Sequence, residues 1–141
     1  MFTKILVPLD LTEPDLIGQA LDEALVVAKG GNARLRLVNV QSLVPVAFID
    51  YIPANFDEEL RLSAEQDLAD VAAKLDYPKE LVTTIVRFGA IYPEVLAEAE
   101  DWGADLIVLS SHRPAMSTYL LGSNAKTIVR HAKCSVLVVR R

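Results

Sequence analysis

Five short apolar runs, at residues 4–9, 35–40, 81–88, 105–109 and 136–139, alternate along the chain with segments whose apolar residues recur at helical spacing. Apolar runs of this length suit strands buried on both faces better than they suit helices. The connections between them are long enough for crossovers, which parallel strands require and hairpins do not. The pattern therefore predicts an α/β fold, one parallel sheet with helices on both faces. With 141 residues the chain is large enough to bury a sizeable core and too short for two ordinary domains, so a single domain over residues 1–141 is expected.

Local punctuation supports the alternation. Thr12 with Asp15 has the spacing of a capping box, and Pro14 falls in a first turn, where its missing donor is tolerated. Ile17, Ala20, Leu21, Ala24, Val27 and Ala28 then follow a helical period, and Gly30-Gly31-Asn32 supplies a stop. Arg34 and Arg36 alternate near the start of the second strand, which suggests that one of its faces reaches solvent there. Residues 41–55, with Pro45, Pro53, Phe48 and Tyr51, read as a loop or lid. A helix is predicted over 57–75, with Leu60, Ala64, Leu68, Val71, Ala72 and Leu75 inward. Pro93 opens the next helix, Val95, Leu96 and Ala99 face inward, and Trp102-Gly103 closes it. A last helix is predicted over 123–132.

Charge is divided unevenly. Residues 1–105 hold all 19 acidic residues against eight basic ones, a balance of −11, whereas residues 106–141 hold six basic and no acidic residues, a balance of +6 that brings the chain to −5. A local positive field in an acidic protein favours a small anion over a nucleic acid, which would also meet the acidic remainder. Arg130, Lys133, Arg140 and Arg141 read as a solvated helix end and tail, while Arg113 sits in a loop beside Gly122-Ser123-Asn124, a helix start of the kind that holds phosphate. Cys134 is the single cysteine, which rules out an internal disulfide and a cysteine metal cluster. No apolar run is long enough to span a bilayer, and Met1-Phe2-Thr3-Lys4 leads into a strand rather than a signal peptide, so a cytoplasmic location without membrane contact is expected.

Ligands of open parallel sheets sit beyond the carboxyl ends of the strands, where the winding direction switches. The first strand delivers Pro8, Leu9 and Asp10 to that edge, the second Val40, and the fourth Ser110 with the following Ser111-His112-Arg113. Three segments distant in sequence are thereby expected at one crevice.

These residues carry a resemblance to a known family. The opening Lys4-Ile5-Leu6-Val7-Pro8-Leu9-Asp10, the Ser111-His112-Arg113-Pro114 loop, Leu120-Leu121-Gly122-Ser123-Asn124, and Val129-Arg130-His131-Ala132 with the final Val136-Leu137-Val138-Val139-Arg140 resemble the universal stress proteins, in particular an enteric-type subgroup associated with ATP. The resemblance spans the chain and is strongest in its last third. It implies a Rossmann-like domain of the adenine nucleotide alpha hydrolase type, with a five-stranded sheet in order 3-2-1-4-5. It also implies a homodimer joined through the last strand and, in one branch, bound ATP with Mg²⁺. That branch carries Gly, two residues, Gly, nine residues, then Gly-Ser or Gly-Thr. Here Ser110 and Arg113 stand at the first two glycine positions and eight residues separate Arg113 from Gly122. Ser110 is nearly as small as glycine and Arg113 offers charge, so nucleotide binding remains the favoured expectation.

Carried over position by position, the resemblance has Pro8 and Leu9 lining a base pocket, the Val40 backbone meeting the adenine edge, and Asp10 accepting a hydrogen bond from the ribose or adenine side. Gly122, Ser123 and Asn124 give donors to the phosphates, with Ser110, His112 and Arg113 beside them. Plainer roles compete. Asp10 is also a turn former before Thr12, Ser123 and Asn124 are also helix caps, and His112 is also a loop hydrogen-bonding group. No Walker lysine or Gly-x-Gly-x-x-Gly fingerprint is present, and nothing specifies a general base. The functions left open are an ATP-binding regulator of the stress response, a ligand-free dimerisation module of the same fold, and a slow ATPase.

Overall fold

The computed structural model describes residues 1–12, 14–43, 50, 51, 54–110 and 123–140. Strands and helices alternate as β1 (Lys4–Pro8), α1 (Pro14–Lys29), β2 (Arg34–Gln41), α2 (Phe56–Ala73), β3 (Val82–Phe88), α3 (Ile91–Trp102), β4 (Leu106–Ser110), α4 (Ser123–His131) and β5 (Ser135–Val139). All neighbouring strands pair in parallel, in the order β3-β2-β1-β4-β5. This is the parallel α/β sheet that the sequence pattern predicts, in the strand order that the family resemblance implies.

Strand alternation sorts the core into two layers. Ile5, Val7, Leu35, Leu37 and Val108 face α1 and α2, packing on Ala20, Leu21, Ala24, Ala28 and Leu68. Leu6, Val38, Ile107 and Leu109 point the other way, onto Val95 and Ala99 of α3 and Ala125 and Ile128 of α4. β1 and β4 lie in the middle of the sheet, which is why they read as unbroken apolar runs.

Helix ends follow local chemistry. Beyond α1, the Gly31 and Ala33 amides both donate to the Ala28 carbonyl, and the residue with positive φ is Asn32, at 51°, rather than either glycine. Asn tolerates that region better than most side chains. Gly103 ends α3 at φ 82°, a left-handed cap that returns its amide to the Ala99 carbonyl. α3 starts two residues before Pro93, which places the proline within the first turn, where its missing amide costs little.

One local expectation is corrected in part. Arg34 is exposed at the start of β2, as expected, whereas Arg36 is half-buried, hydrogen-bonded to Thr83 and Glu98, and its guanidinium lies 4.7 Å from the centre of the Trp102 ring. An arginine stem and planar head bury well when charge and ring face are both matched. Thr12 directs its amide and hydroxyl back to Asp10, while the Asp15 side chain of the expected capping box lies outside the described residues.

Asp105 fastens the chain start to the sheet. Its carboxylate accepts from the Thr3 amide at 2.9 Å, the Thr3 hydroxyl at 3.1 Å and the Lys4 amide at 3.0 Å. Burial pushes the carboxyl up, but these hydrogen bonds together outweigh it and hold the carboxyl below its ordinary range. A lowered carboxyl stabilises the fold fully above its ordinary value, and that contribution is lost as pH falls through the lowered value of the folded protein. Asp105→Ala is expected to cost about 1–3 kcal/mol at neutral pH. Urea unfolding across acid pH should show the gap to the parent protein closing in that window.

Candidate functional site

The strand order places the switch point between β1 and β4. From β1 the chain crosses one face of the sheet through α1, and from β4 it crosses the other through α4, so their carboxyl ends diverge and leave a crevice. A cavity of about 440 Å³ occupies it. Pro8, Leu9 and Asp10 line it from the end of β1, Val40 and Gln41 from the end of β2, Ser110 from the end of β4, and Asn124 from the first turn of α4. Ile17, Ile91, Val95, Leu109 and Ile128 supply apolar walls. An apolar body with a few polar groups at one end is the usual make-up of a small-molecule site.

Of the residues singled out in the sequence, Pro8, Leu9, Asp10, Val40, Ser110 and Asn124 come together on this cavity. Ser123 begins α4. Its side chain, like His112, Arg113 and Gly122, lies outside the described residues. Asp10 has the turn-forming role: its Oδ1 accepts from the Thr12 amide at 2.9 Å and from the Thr12 hydroxyl at 2.6 Å. Both of these hydrogen bonds use Oδ1, and among the described residues none engages Oδ2.

The amino end of α4 opens onto the same cavity through Asn124 and Ala125. Its first amides have no partners within the helix and the aligned peptide dipoles add partial positive charge, so the cavity meets an anion-favouring group at one end. Lys126, exposed on α4 just beyond Asn124 and Ala125, carries the same sign. Among the described residues no three His, Cys, Asp or Glu side chains are grouped to hold a metal ion.

Sequence reasoning missed Asn39 and Gln41. Asn39 is 4% exposed; its Nδ2 donates to the Leu9 carbonyl at 2.9 Å and its Oδ1 accepts from Gln41 Nε2. A polar residue inside the apolar run 35–40 was the available signal. It points to a buried partner, because an unpaired amide there would carry the full cost of desolvation.

The profile of the universal stress protein family matches residues 1–140. The chain belongs to that family. Universal stress protein G of Shigella flexneri is 34% identical, over 99% of this chain and 100% of that protein. Among solved structures, universal stress protein UspA from Lactobacillus plantarum superposes with a TM-score of 0.74 at 24% identity, covering 98% of this chain and 97% of that one. A universal stress protein in complex with cAMP superposes with a TM-score of 0.67 at 22% identity, over 98% and 97% of the two chains. The universal stress protein architecture thus extends over the full sheet and all four helices, and no helix among the described residues is long and apolar enough to cross a membrane.

Proposed function

We propose that this universal stress protein binds an adenine nucleotide, ATP accompanied by Mg²⁺, in the switch-point cavity and acts as a nucleotide-responsive regulator of the stress response in the cytoplasm. The observation that carries the reading is the meeting of three strand ends and the amino end of α4 on one cavity of about 440 Å³. A base would pack between Pro8, Leu9 and the apolar walls, with the Val40 backbone at its edge. Asp10 Oδ2 would accept from the ribose, and the phosphates would lie towards Ser110, Asn124 and the α4 amino end. Gly122, Ser123, His112 and Arg113, carried over from the sequence resemblance, would give further donors to the phosphates. Mg²⁺ would take most of its oxygen ligands from phosphate and water. The relative solved with cAMP supports an adenine nucleotide on this fold.

Dimerisation through β5 belongs to the same reading. β5 is an edge strand whose Val136, Leu137 and Val138 remain partly exposed, a surface that pairing with a second copy would cover. Hydrolysis has no assigned base and would be slow.

Acid release of small molecules from purified protein, followed by chromatography, tests the nucleotide reading: an adenine nucleotide in a fixed ratio to protein is expected. A protein that carries none and gives no heat on titration with ATP and Mg²⁺ contradicts it. The second reading, a ligand-free dimerisation module, is favoured by Ser110 in place of a glycine and by the engagement of Asp10 Oδ1 with Thr12. It predicts a dimer whose sedimentation is the same with and without ATP.

A further inference from the structure

We infer that the Leu9-Asn39-Gln41 hydrogen-bond relay makes Gln41 the base-selecting residue of this cavity, matched to a purine with a 6-amino group and mismatched to a 6-oxo purine. The inference rests on the nucleotide reading above and adds to it which base is chosen and by which side chain.

Direction is what gives the relay its selectivity. The Leu9 carbonyl is an acceptor only, so Asn39, buried beside it, must turn its Nδ2 towards it, and does so at 2.9 Å. Asn39 Oδ1 then faces Gln41, which answers with Nε2. The order of donors and acceptors is thereby set from the backbone of β1 outward. Gln41, half-buried on the cavity wall at the end of β2, has among the described residues no other side-chain partner, which leaves Oε1 as an acceptor and one N–H as a donor.

That pair complements adenine. A primary amide reads adenine by accepting from the 6-amino group and donating to the adjacent ring nitrogen. A 6-oxo purine presents an acceptor where adenine presents its amino group, so two acceptors would face each other. Reversing Gln41 to suit it would place Oε1 against Asn39 Oδ1, and reversing Asn39 as well would place its Oδ1 against the Leu9 carbonyl. Each reversal passes the mismatch inward to a buried acceptor pair, where it is more costly than at the surface. Asn39 is the positioning residue and Gln41 the residue that meets the base.

ATP and ITP isolate position 6 and make the test. Calorimetric titration of the full chain is expected to show a preference for ATP of at least about tenfold. Gln41→Met, of similar size and without a hydrogen-bonding amide, should weaken ATP by about 3–10-fold and bring the two ligands within about threefold of each other. Equal affinities in the parent protein, or a preference undiminished in Gln41→Met, overturn base selection by Gln41 and leave the nucleotide site standing. Failure of both ligands to bind the parent protein overturns the nucleotide reading and this inference with it.

Discussion

Replacement of Glu98 by alanine is expected to remove about 3 kcal/mol of stability, a large share of the roughly 5–15 kcal/mol that holds a domain folded. Glu98 is 2% exposed on the inner side of α3, with Arg36 Nη1 at 2.8 Å from Oε2 and Arg87 Nη1 at 2.8 Å from Oε1. Arg87 also holds Glu94 at 2.8 Å and approaches Asp101 at 3.7 Å. The hydrogen bond to Glu94 pushes the Arg87 guanidinium up, burial opposes it, and Glu98 adds to the upward shift. Without Glu98, Arg36 would lose the carboxylate it pairs with on α3, and Arg87, on the adjacent strand, would keep Glu94 and the more distant Asp101 only. The Arg36 and Arg87 side chains retain 24% and 23% of their exposure, and that access to water places the cost near the lower end of the range for breaking a buried pair. Urea unfolding of Glu98→Ala and the parent protein measures it. Glu98→Gln should lie between them, since it keeps the shape and one acceptor.

The second large effect is on binding. Ser110→Trp is expected to weaken ATP on the order of 100-fold, because an indole at the end of β4 would fill much of the cavity that Ser110 lines. Ser110 lies at the rim of the sheet rather than within either core layer, so the unfolding midpoint in urea should stay close to that of the parent protein. Binding equal to the parent protein, with the fold intact, would place the nucleotide elsewhere.

The parts that were legible in the sequence share a property: their signals are local or periodic. The middle strands announce themselves as apolar runs because both faces are covered, and α1 is bracketed by Pro14 and Gly30-Gly31-Asn32. Pro8, Leu9, Asp10, Val40 and Ser110 could be brought together in advance because a parallel sheet delivers its strand ends to one edge. The Glu98 cluster was not legible. An acid on an amphipathic helix reads as solvated, and the approach of Arg36, 62 residues away in sequence, together with Arg87 makes burial tolerable. Asn39 and Gln41 were hidden for the same reason, since their roles depend on the carbonyl of Leu9, 30 residues distant from Asn39. Asp10 was legible in both of its possible roles, and geometry assigned one carboxylate oxygen to the turn.

Titration of nucleotide-free protein with ATP and Mg²⁺ in a calorimeter asks whether the switch-point cavity holds a nucleotide. Saturable heat with one site per chain is expected, with affinity reduced on the order of 100-fold by Ser110→Trp. No heat of binding from folded parent protein, at ATP concentrations up to the millimolar range typical of weak sites, would contradict it.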